Sequence, residues 1–422
     1  MRVSVFSLGC KVNQYESDGI ITELNNRGYS AFSSLEPADV YVINTCSVTA
    51  EADRKSRQSI SRVQKLNPNA KIIVIGCSSQ NNPTAYEEKD NIVKISGNSG
   101  KMKAVLQVMS DITSNFDDKN DCKNEAKNQD LPLVYEDVYF PTPTKTRGFI
   151  KIQDGCNNFC SYCIVPYLRG RSRSRNIESI KKEATDVSKS CKEIVLTGID
   201  ISAYGKDTGS SLKQLLHSLN NIPSRIRLGS LECSVIDEEL LKIMKDGNFC
   251  PHFHLSFQSG SNAVLKNMNR HYTVEEFLAK TELIKKYFPL AGITTDIICG
   301  FPQESEANHL ESLRNIERIG FSQIHVFPYS EREGTVAAKR PQLQKSIRKA
   351  RANETAELGK KLHENFLNKN LGLIKEVLTE DKEGNFVVGY TDNYIKIYSD
   401  SSQGEMLSLK LKEIYKEGVL GV

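Results

Sequence analysis

The sequence predicts a multidomain α/β protein: an N-terminal parallel-sheet domain, a central partial (βα)6 barrel and a small all-β barrel at the C-terminus. Three observations carry this. Apolar runs at 3–8, 39–44 and 71–76 each pass through turn residues into a polar, helix-like stretch, the βαβ rhythm of a parallel sheet. Six further βα units follow from residue 148. After residue 361 the pattern changes to apolar–polar alternation, the period of a half-buried strand. A chain of 422 residues is also too long for one core.

In order, the reading gives an N-terminal domain at 1–112, a linker at 113–145 rich in Asp, Asn and Lys and then Pro and Thr, a barrel at 146–345, and a basic helix with the small β-barrel at 346–422. The barrel strands fall at 149–153, 193–197, 225–229, 252–256, 293–298 and 323–327, with helices at 177–188, 274–286 and 304–319. No Gly-x-Gly-x-x-Gly turn marks a dinucleotide site, so a partial barrel is preferred to a doubly wound sheet. A basic helical pattern covers 345–361, and 385–389 and 394–398 read as strands of the last module. Ser305 and Thr273 read as helix caps. There is no internal repeat.

Composition narrows the chemistry. Apolar residues at 39% and charged residues at 26% are an ordinary soluble balance. The longest apolar runs, 71–76 and 293–300, are far too short to span a bilayer, and the N-terminus lacks the pattern of an export signal. The expectation is a cytoplasmic protein with no membrane partner. Eleven cysteines, an odd number in a reducing compartment, argue against a disulfide framework and for metal or cluster ligation wherever they group. A net charge of +4 neither demands nor excludes a nucleic-acid partner.

The cysteines do group. Cys156, Cys160 and Cys163 follow the first barrel strand, at the end where barrel enzymes keep their chemistry. Their spacing suits three thiolates on one cubane iron–sulfur cluster with its fourth iron open. An open iron can chelate the amino and carboxylate groups of S-adenosylmethionine (SAM), and Tyr162 lies ready to pack against the SAM adenine. The alternative, a zinc loop, lacks the paired Cys-x-x-Cys elements such sites use. Cys10, Cys46 and Cys77 each stand just beyond a predicted strand in successive βα units, so they can converge at one sheet edge as a second site; the alternative is three small buried hydrophobes. Cys122, Cys191, Cys233, Cys250 and Cys299 show no ligand spacing and read as packing residues.

Cys156–Cys163 and its surroundings resemble the radical SAM superfamily. The stretch 155–175 resembles its methylthiotransferases, and most of all the bacterial tRNA threonylcarbamoyladenosine methylthiotransferases. The likeness recurs in Ser7-Leu-Gly-Cys-Lys-Val-Asn-Gln-Tyr-Glu-Ser17, Gln258-Ser-Gly-Ser261, Met268-Asn-Arg-His-Tyr-Thr273 and Asp296-Ile-Ile-Cys-Gly-Phe-Pro302, and covers essentially the whole chain. Cys233, Cys299 and Gln303 depart from the family pattern, where Pro, Val and Gly are expected.

The resemblance implies two [4Fe–4S] clusters, an auxiliary one on Cys10, Cys46 and Cys77 and a SAM-cleaving one on Cys156, Cys160 and Cys163. It implies SAM contacts at Glu232 and Gln258, with the Gly300–Pro302 turn in the adenine wall. Asp200 joins these cofactor candidates from its place at a predicted strand end. It also implies a TRAM-like RNA-binding module at the C-terminus. The reaction implied is methylthio transfer to carbon 2 of N6-threonylcarbamoyladenosine at position 37 in a tRNA anticodon stem-loop. Such a reaction needs an electron donor such as flavodoxin or ferredoxin, and a sulfur source. The alternative substrate is N6-isopentenyladenosine, and the alternative of another class is a non-catalytic RNA-binding iron–sulfur protein.

For the RNA, Arg169, Arg171, Arg173 and Arg175 make a basic strip if their stretch is extended, with Arg270 as a further contact. The basic stretch 345–351 is a second electrostatic candidate. From residue 361 onward eight Lys face ten Asp and Glu, so that module must grip RNA by shape and stacking. Tyr390, Tyr394 and Tyr398 are candidates for stacking or for core packing.

Overall fold

The computed structural model describes residues 1–87, 89, 91–114, 123–126, 130–143 and 146–422. β1 (Arg2–Ser7), β2 (Ser30–Phe32), β3 (Val40–Thr45), β4 (Lys71–Gly76), β5 (Ile92–Ile95) and β6 (Lys123–Asn124) form one parallel sheet in the order β2-β1-β3-β4-β5-β6. Val3 lies opposite Val40, and Val40 opposite Lys71. β3 is buried throughout because helices cover both faces. Val40 and Val42 enter one apolar cluster, and Tyr41 and Ile43 enter the other.

The central domain carries β7 (Arg147–Lys151), a short ribbon of β8 (Gln153–Asp154) and β9 (Arg173–Ser174), then β10 (Glu193–Thr197), β11 (Arg225–Leu228), β12 (His252–His254), β13 (Gly292–Cys299) and β14 (Gln323–Pro328). Two parallel sheets, β7-β10-β11 and β12-β13-β14, are joined through the bridges Ile226–Phe249 and Leu231–Leu255. Among the described residues β7 and β14 do not pair, so the six-stranded barrel is open on one side. Helices Ile177–Val187, Val274–Tyr287 and Glu306–Ile319 lie where expected, and Thr273 and Ser305 cap the last two with reciprocal capping boxes.

The helix Lys345–Asn370 leads into a closed five-stranded barrel: β15 (Ile374–Glu383), β16 (Phe386–Thr391), β17 (Lys396–Ser399), β18 (Met406–Tyr415) and β19 (Gly418–Gly421), in the order β15-β16-β17-β19-β18. This barrel docks under the N-terminal ends of the central strands. Arg225 donates to the Tyr390 carbonyl at 2.8 Å, Arg227 to the carbonyls of Asp392 (2.8 Å) and Thr391 (3.0 Å), and Asn393 to Leu290 at 2.8 Å. Gly292 is obligatory there, since a Cβ would sit 2.1 Å from the Asn393 carbonyl oxygen.

The N-terminal domain spans the open side. Near β7, the Tyr15 hydroxyl donates to the Tyr139 carbonyl (2.7 Å) and lies 3.1 Å from Glu183. Near β14, Arg332 donates to Ser47 at 2.6 Å. The expected linker takes part: Tyr139 is buried in the N-terminal core and Tyr135 donates to the Lys151 carbonyl at 2.8 Å. Residues 115–122, including Cys122, lie outside the described residues, as do 127–129 and 144–145.

A buried ion network fastens this junction. Glu16 accepts from Lys101 (2.6 Å), Lys151 (2.7 Å) and Arg169 (3.1 Å), while Asp154 holds Lys151 (2.7 Å), Arg169 (3.1 Å) and Arg173 (3.0 Å). Burial alone would raise the Glu16 carboxyl, but Arg169, Lys101 and Lys151 hold it well below the carboxylate range.

The network corrects the reading of a basic strip. Residues 165–169 form a helix (Val165–Arg169) and Arg173 lies in β9, so the stretch is not extended throughout. Arg169, Arg173 and Arg175 are buried, the last on Glu183 and Asp137. Arg171 alone of the four is exposed, over the Phe159 ring at 4.5 Å. In the long helix Arg348 and Arg351 likewise turn inward, Arg348 to the Leu343 and Tyr329 carbonyls and Arg351 to Glu304, leaving Lys345 and Lys349 outside.

Removing one partner from such a buried network breaks several desolvated charge-assisted hydrogen bonds at once, a loss of about 3–5 kcal/mol. Arg169→Met is therefore expected to lower stability in denaturant unfolding by that order, and Arg169→Lys, which keeps charge without the fork, by less. An Arg169→Met protein as stable as the parent contradicts the clamp.

Candidate active site

Cys10 ends the turn after β1, Cys46 follows β3 and Cys77 follows β4. β1, β3 and β4 are neighbours, so all three thiols stand on one sheet edge. Gly9 makes room for them: its φ is +91°, and a Cβ would lie 2.3 Å from Cys46 Sγ. Burial pushes the Cys46 thiol up to about 11 and raises that of Cys10, which Arg169 partly offsets. Cys77 packs against Ile164 and Leu168, and Asn98, in contact with Cys77 Sγ at 3.6 Å, donates to the Leu168 carbonyl at 2.9 Å. The first triad thus abuts the segment directly after Cys163.

The second triad lies on the loop beyond β8. The Asn158 amide donates to Cys156 Sγ at 3.4 Å, and Cys163 is turned back by its amide on the Cys160 carbonyl (2.9 Å). Arg270 donates to Cys160 Sγ at 3.2 Å, to the Ser256 carbonyl at 3.0 Å and to Glu232. Burial pushes Cys156 and Cys163 up to about 12, so without a metal these thiols are protonated at neutral pH and cluster binding releases protons.

Both triads fit iron–sulfur ligation: each converges three thiols with no disulfide, and the first lies beside a network in which four cations, Lys101, Lys151, Arg169 and Arg173, face only two carboxylates, Glu16 and Asp154. That positive surplus suits an anionic thiolate set. The four other described cysteines, Cys191, Cys233, Cys250 and Cys299, are buried packing residues.

The remaining predicted residues cluster about the second triad with one exception. Asp200 lies 3.9 Å from Cys156 Sγ and accepts from Asn158 at 3.1 Å. Burial raises the carboxyls of Asp200 and Glu232. Tyr162 meets Phe301 edge-on at 6.4 Å, and Phe301 meets Tyr329 at 5.5 Å, a continuous aromatic wall. Gln258 has φ +65° and is bridged to β13 on both sides, by its amide to Asp296 and by its carbonyl to Ile298. The exception is Gly300: its φ is +72°, and a Cβ would lie 2.7 Å from Arg348 Cγ. Close approach of the long helix accounts for that glycine, while its neighbour Phe301 forms the wall. Arg270 is engaged inside the site by Glu232 and Cys160, so it is not a free phosphate ligand. Tyr398 is a packing residue, and Tyr394 is stacked between Tyr390 (4.8 Å) and His252 (4.5 Å), leaving it no face for RNA.

The sequence places Asp296 at a strand end facing the barrel mouth but gives no role to its neighbours His254 and His325. His254, Asp296 and His325 project from β12, β13 and β14 with donor atoms within 4.8 Å of one another. Their signal was present as alternate polar residues in strands that read as apolar. A larger cleft of about 670 Å³ near Lys213 and His217 is lined by none of the six triad cysteines.

An open βα barrel with a cysteine triad beyond its first strand, faced by a second triad on a docked parallel sheet, defines a SAM-dependent iron–sulfur enzyme. Residues 2–96 match the uncharacterized protein family UPF0004 and residues 150–316 the Radical SAM superfamily. The chain is 38% identical to the threonylcarbamoyladenosine tRNA methylthiotransferase MtaB of Aquifex aeolicus, over 94% of this chain and 96% of that protein. It is 37% identical to the protein of that name from Bacillus subtilis, over 99% and 95%. It is 32% identical to the tRNA-2-methylthio-N(6)-dimethylallyladenosine synthase of Thermodesulfovibrio yellowstonii, over 99% and 98%. The solved structure of the radical SAM methyltransferase TsrM from Kitasatospora setae shares the fold with a TM-score of 0.58 at 15% identity, over 80% of this chain and 75% of that one. The chain belongs to the radical SAM methylthiotransferase family, enzymes that work with SAM and a [4Fe–4S] cluster. No described helix is long and apolar enough to cross a membrane.

Gln258 offers a test. A left-handed non-glycine residue carries about 1–3 kcal/mol of strain, kept where the site needs the side chain. Gln258→Gly is expected to hold or raise the thermal midpoint while weakening SAM binding in equilibrium titration; unchanged SAM affinity contradicts a cofactor role.

Proposed function

We propose that the protein transfers a methylthio group to carbon 2 of N6-threonylcarbamoyladenosine at position 37 of tRNA, with one [4Fe–4S] cluster on each cysteine triad. The observation that carries the reading is the pair of triads brought together across one domain junction, Cys77 packing on the helix that follows Cys163. Relatives named threonylcarbamoyladenosine tRNA methylthiotransferase, 34–38% identical over nearly the full chain, support the substrate.

Carbon 2 of adenine bears an unactivated aromatic C–H bond, so the clusters and SAM supply the one-electron chemistry and the protein supplies binding and orientation. Asp200 and Glu232 provide negative charge for the SAM ammonium. Tyr162, with Phe301 behind it, gives the adenine an apolar face, and Arg270 steadies both Glu232 and Cys160. The Glu16–Asp154 network fixes the spacing of the two triads, on which transfer between them depends. Exposed Arg171, Lys345 and Lys349 are the cations offered to the phosphates of the anticodon stem-loop, and the C-terminal barrel serves as a TRAM-like RNA module. The reaction draws on an electron donor such as flavodoxin or ferredoxin, and on a sulfur source.

The test is anaerobic reconstitution with iron and sulfide, then SAM, reductant and tRNA, read by nucleoside mass spectrometry. A methylthio mass gain on threonylcarbamoyladenosine alone is the expected result; a gain on isopentenyladenosine alone overturns the substrate. In iron and sulfide analysis Gly9→Ala, whose Cβ meets Cys46, is expected to lose one cluster and keep SAM cleavage to 5′-deoxyadenosine. Full retention of iron contradicts ligation at Cys46.

A further inference from the structure

Inside the open barrel lies a cavity of about 430 Å³, within the usual range for small-molecule sites. Its walls come from three parts of the chain: β11 to β14, the C-terminal barrel around Tyr394, and the N-terminal domain through Lys11, the residue after Cys10. Isopentenyl and threonylcarbamoyl substituents differ most where such a cavity is most selective. The first is wholly apolar; the second carries a carboxylate, a hydroxyl and a ureido group.

Most polar groups around the cavity are already satisfied. Arg227 is held by Glu193 at 2.8 Å, Lys396 by Glu383 (2.6 Å) and Glu417 (2.5 Å), and both ring nitrogens of His363 lie on backbone carbonyls. One group stands apart. Among the described residues no hydrogen bond or ion pair engages the Lys11 ammonium, which is solvent-accessible and lines the cavity. His252, 6% exposed, touches Thr294 through Nε2 at 3.2 Å. Beside them, His254 is fixed by Nδ1 on Thr294 at 2.9 Å and faces Asp296 at 3.5 Å, with the exposed His325 ring 5.9 Å away.

We propose that this cavity is the subsite for a carboxylate-bearing N6-substituent of the target adenine, with Lys11 pairing the carboxylate. The assignment rests on the tRNA methylthiotransferase reading above and deepens it. Because Lys11 adjoins Cys10, gripping the substituent also registers the base against the first triad. An isopentenyl group in the same place would strip water from an ammonium without replacing its bonds, which is how a polar site rejects an apolar analogue.

The test uses the reconstituted full chain and anticodon stem-loops carrying threonylcarbamoyladenosine, its carboxamide, or isopentenyladenosine. A hydrogen bond to a charged group changes kcat/KM by about 10- to 100-fold. The parent enzyme is expected to prefer the carboxylate over the carboxamide by that factor, Lys11→Met to erase the preference, and Lys11→Arg to restore part of it. The carboxamide arm needs no variant, so it stands even if Lys11→Met fails to hold its clusters. Equal rates on carboxylate and carboxamide overturn the subsite and leave the function standing. Turnover of isopentenyladenosine alone overturns the substrate reading and the subsite with it. A stoichiometric non-iron divalent ion, lost in His325→Ala, would give the cavity to a cation and also overturn it.

Discussion

The structure depends on one interaction, the buried junction in which Arg169 bridges Glu16 of the N-terminal domain and Asp154 of the barrel. Two fully desolvated carboxylates are costly unless paired, and here Lys101, Lys151 and Arg173 complete the pairing. Arg169 closes the helix that begins two residues after Cys163, and Glu16 sits on the helix that begins at Lys11. Each end of the clamp therefore lies within one turn or two of a cysteine triad. Rigidity at the junction becomes a fixed distance between two candidate clusters.

The same junction explains the shape of the interior. The N-terminal domain closes the barrel's open side, the C-terminal barrel closes its floor, and the space left between them is the cavity that Lys11 enters. The floor is polar because the first residues of β10 and β11, Glu193 and Arg225, must pair where they are buried; Arg227, Arg225 and Arg147 bring the Glu193 carboxyl down to about 2 against the effect of burial. An interior built this way suits a charged, hydrogen-bonding guest better than an apolar one.

Much of this was legible in the sequence because parallel strands buried on both faces are unbroken apolar runs, and cluster cysteines come at ligand spacing. The strands of the N-terminal sheet were legible for the first reason and the Cys156–Cys163 group for the second; Cys10, Cys46 and Cys77 were grouped by their places just beyond successive strands. The arginines were misread because alternation was taken as one extended strip, when a helix end, a turn and a strand carry them and three are buried on carboxylates: Glu16, Asp154 and Glu183. The sequence does not say which neighbour the Gly300 position accommodates; in the structure it is Arg348. Lys11 stands in a string read for its neighbour Cys10, and acquires a role of its own only when three domains meet around it.

The central claim is that the junction holds two clusters at short range. It is tested most directly by electron paramagnetic resonance of the anaerobically reconstituted, fully reduced protein, comparing the intact chain with forms lacking either triad. The account predicts a spectrum broadened by coupling between two paramagnetic clusters that is not the sum of the single-cluster spectra. A spectrum equal to that sum, or only one cluster in the intact chain, would contradict it.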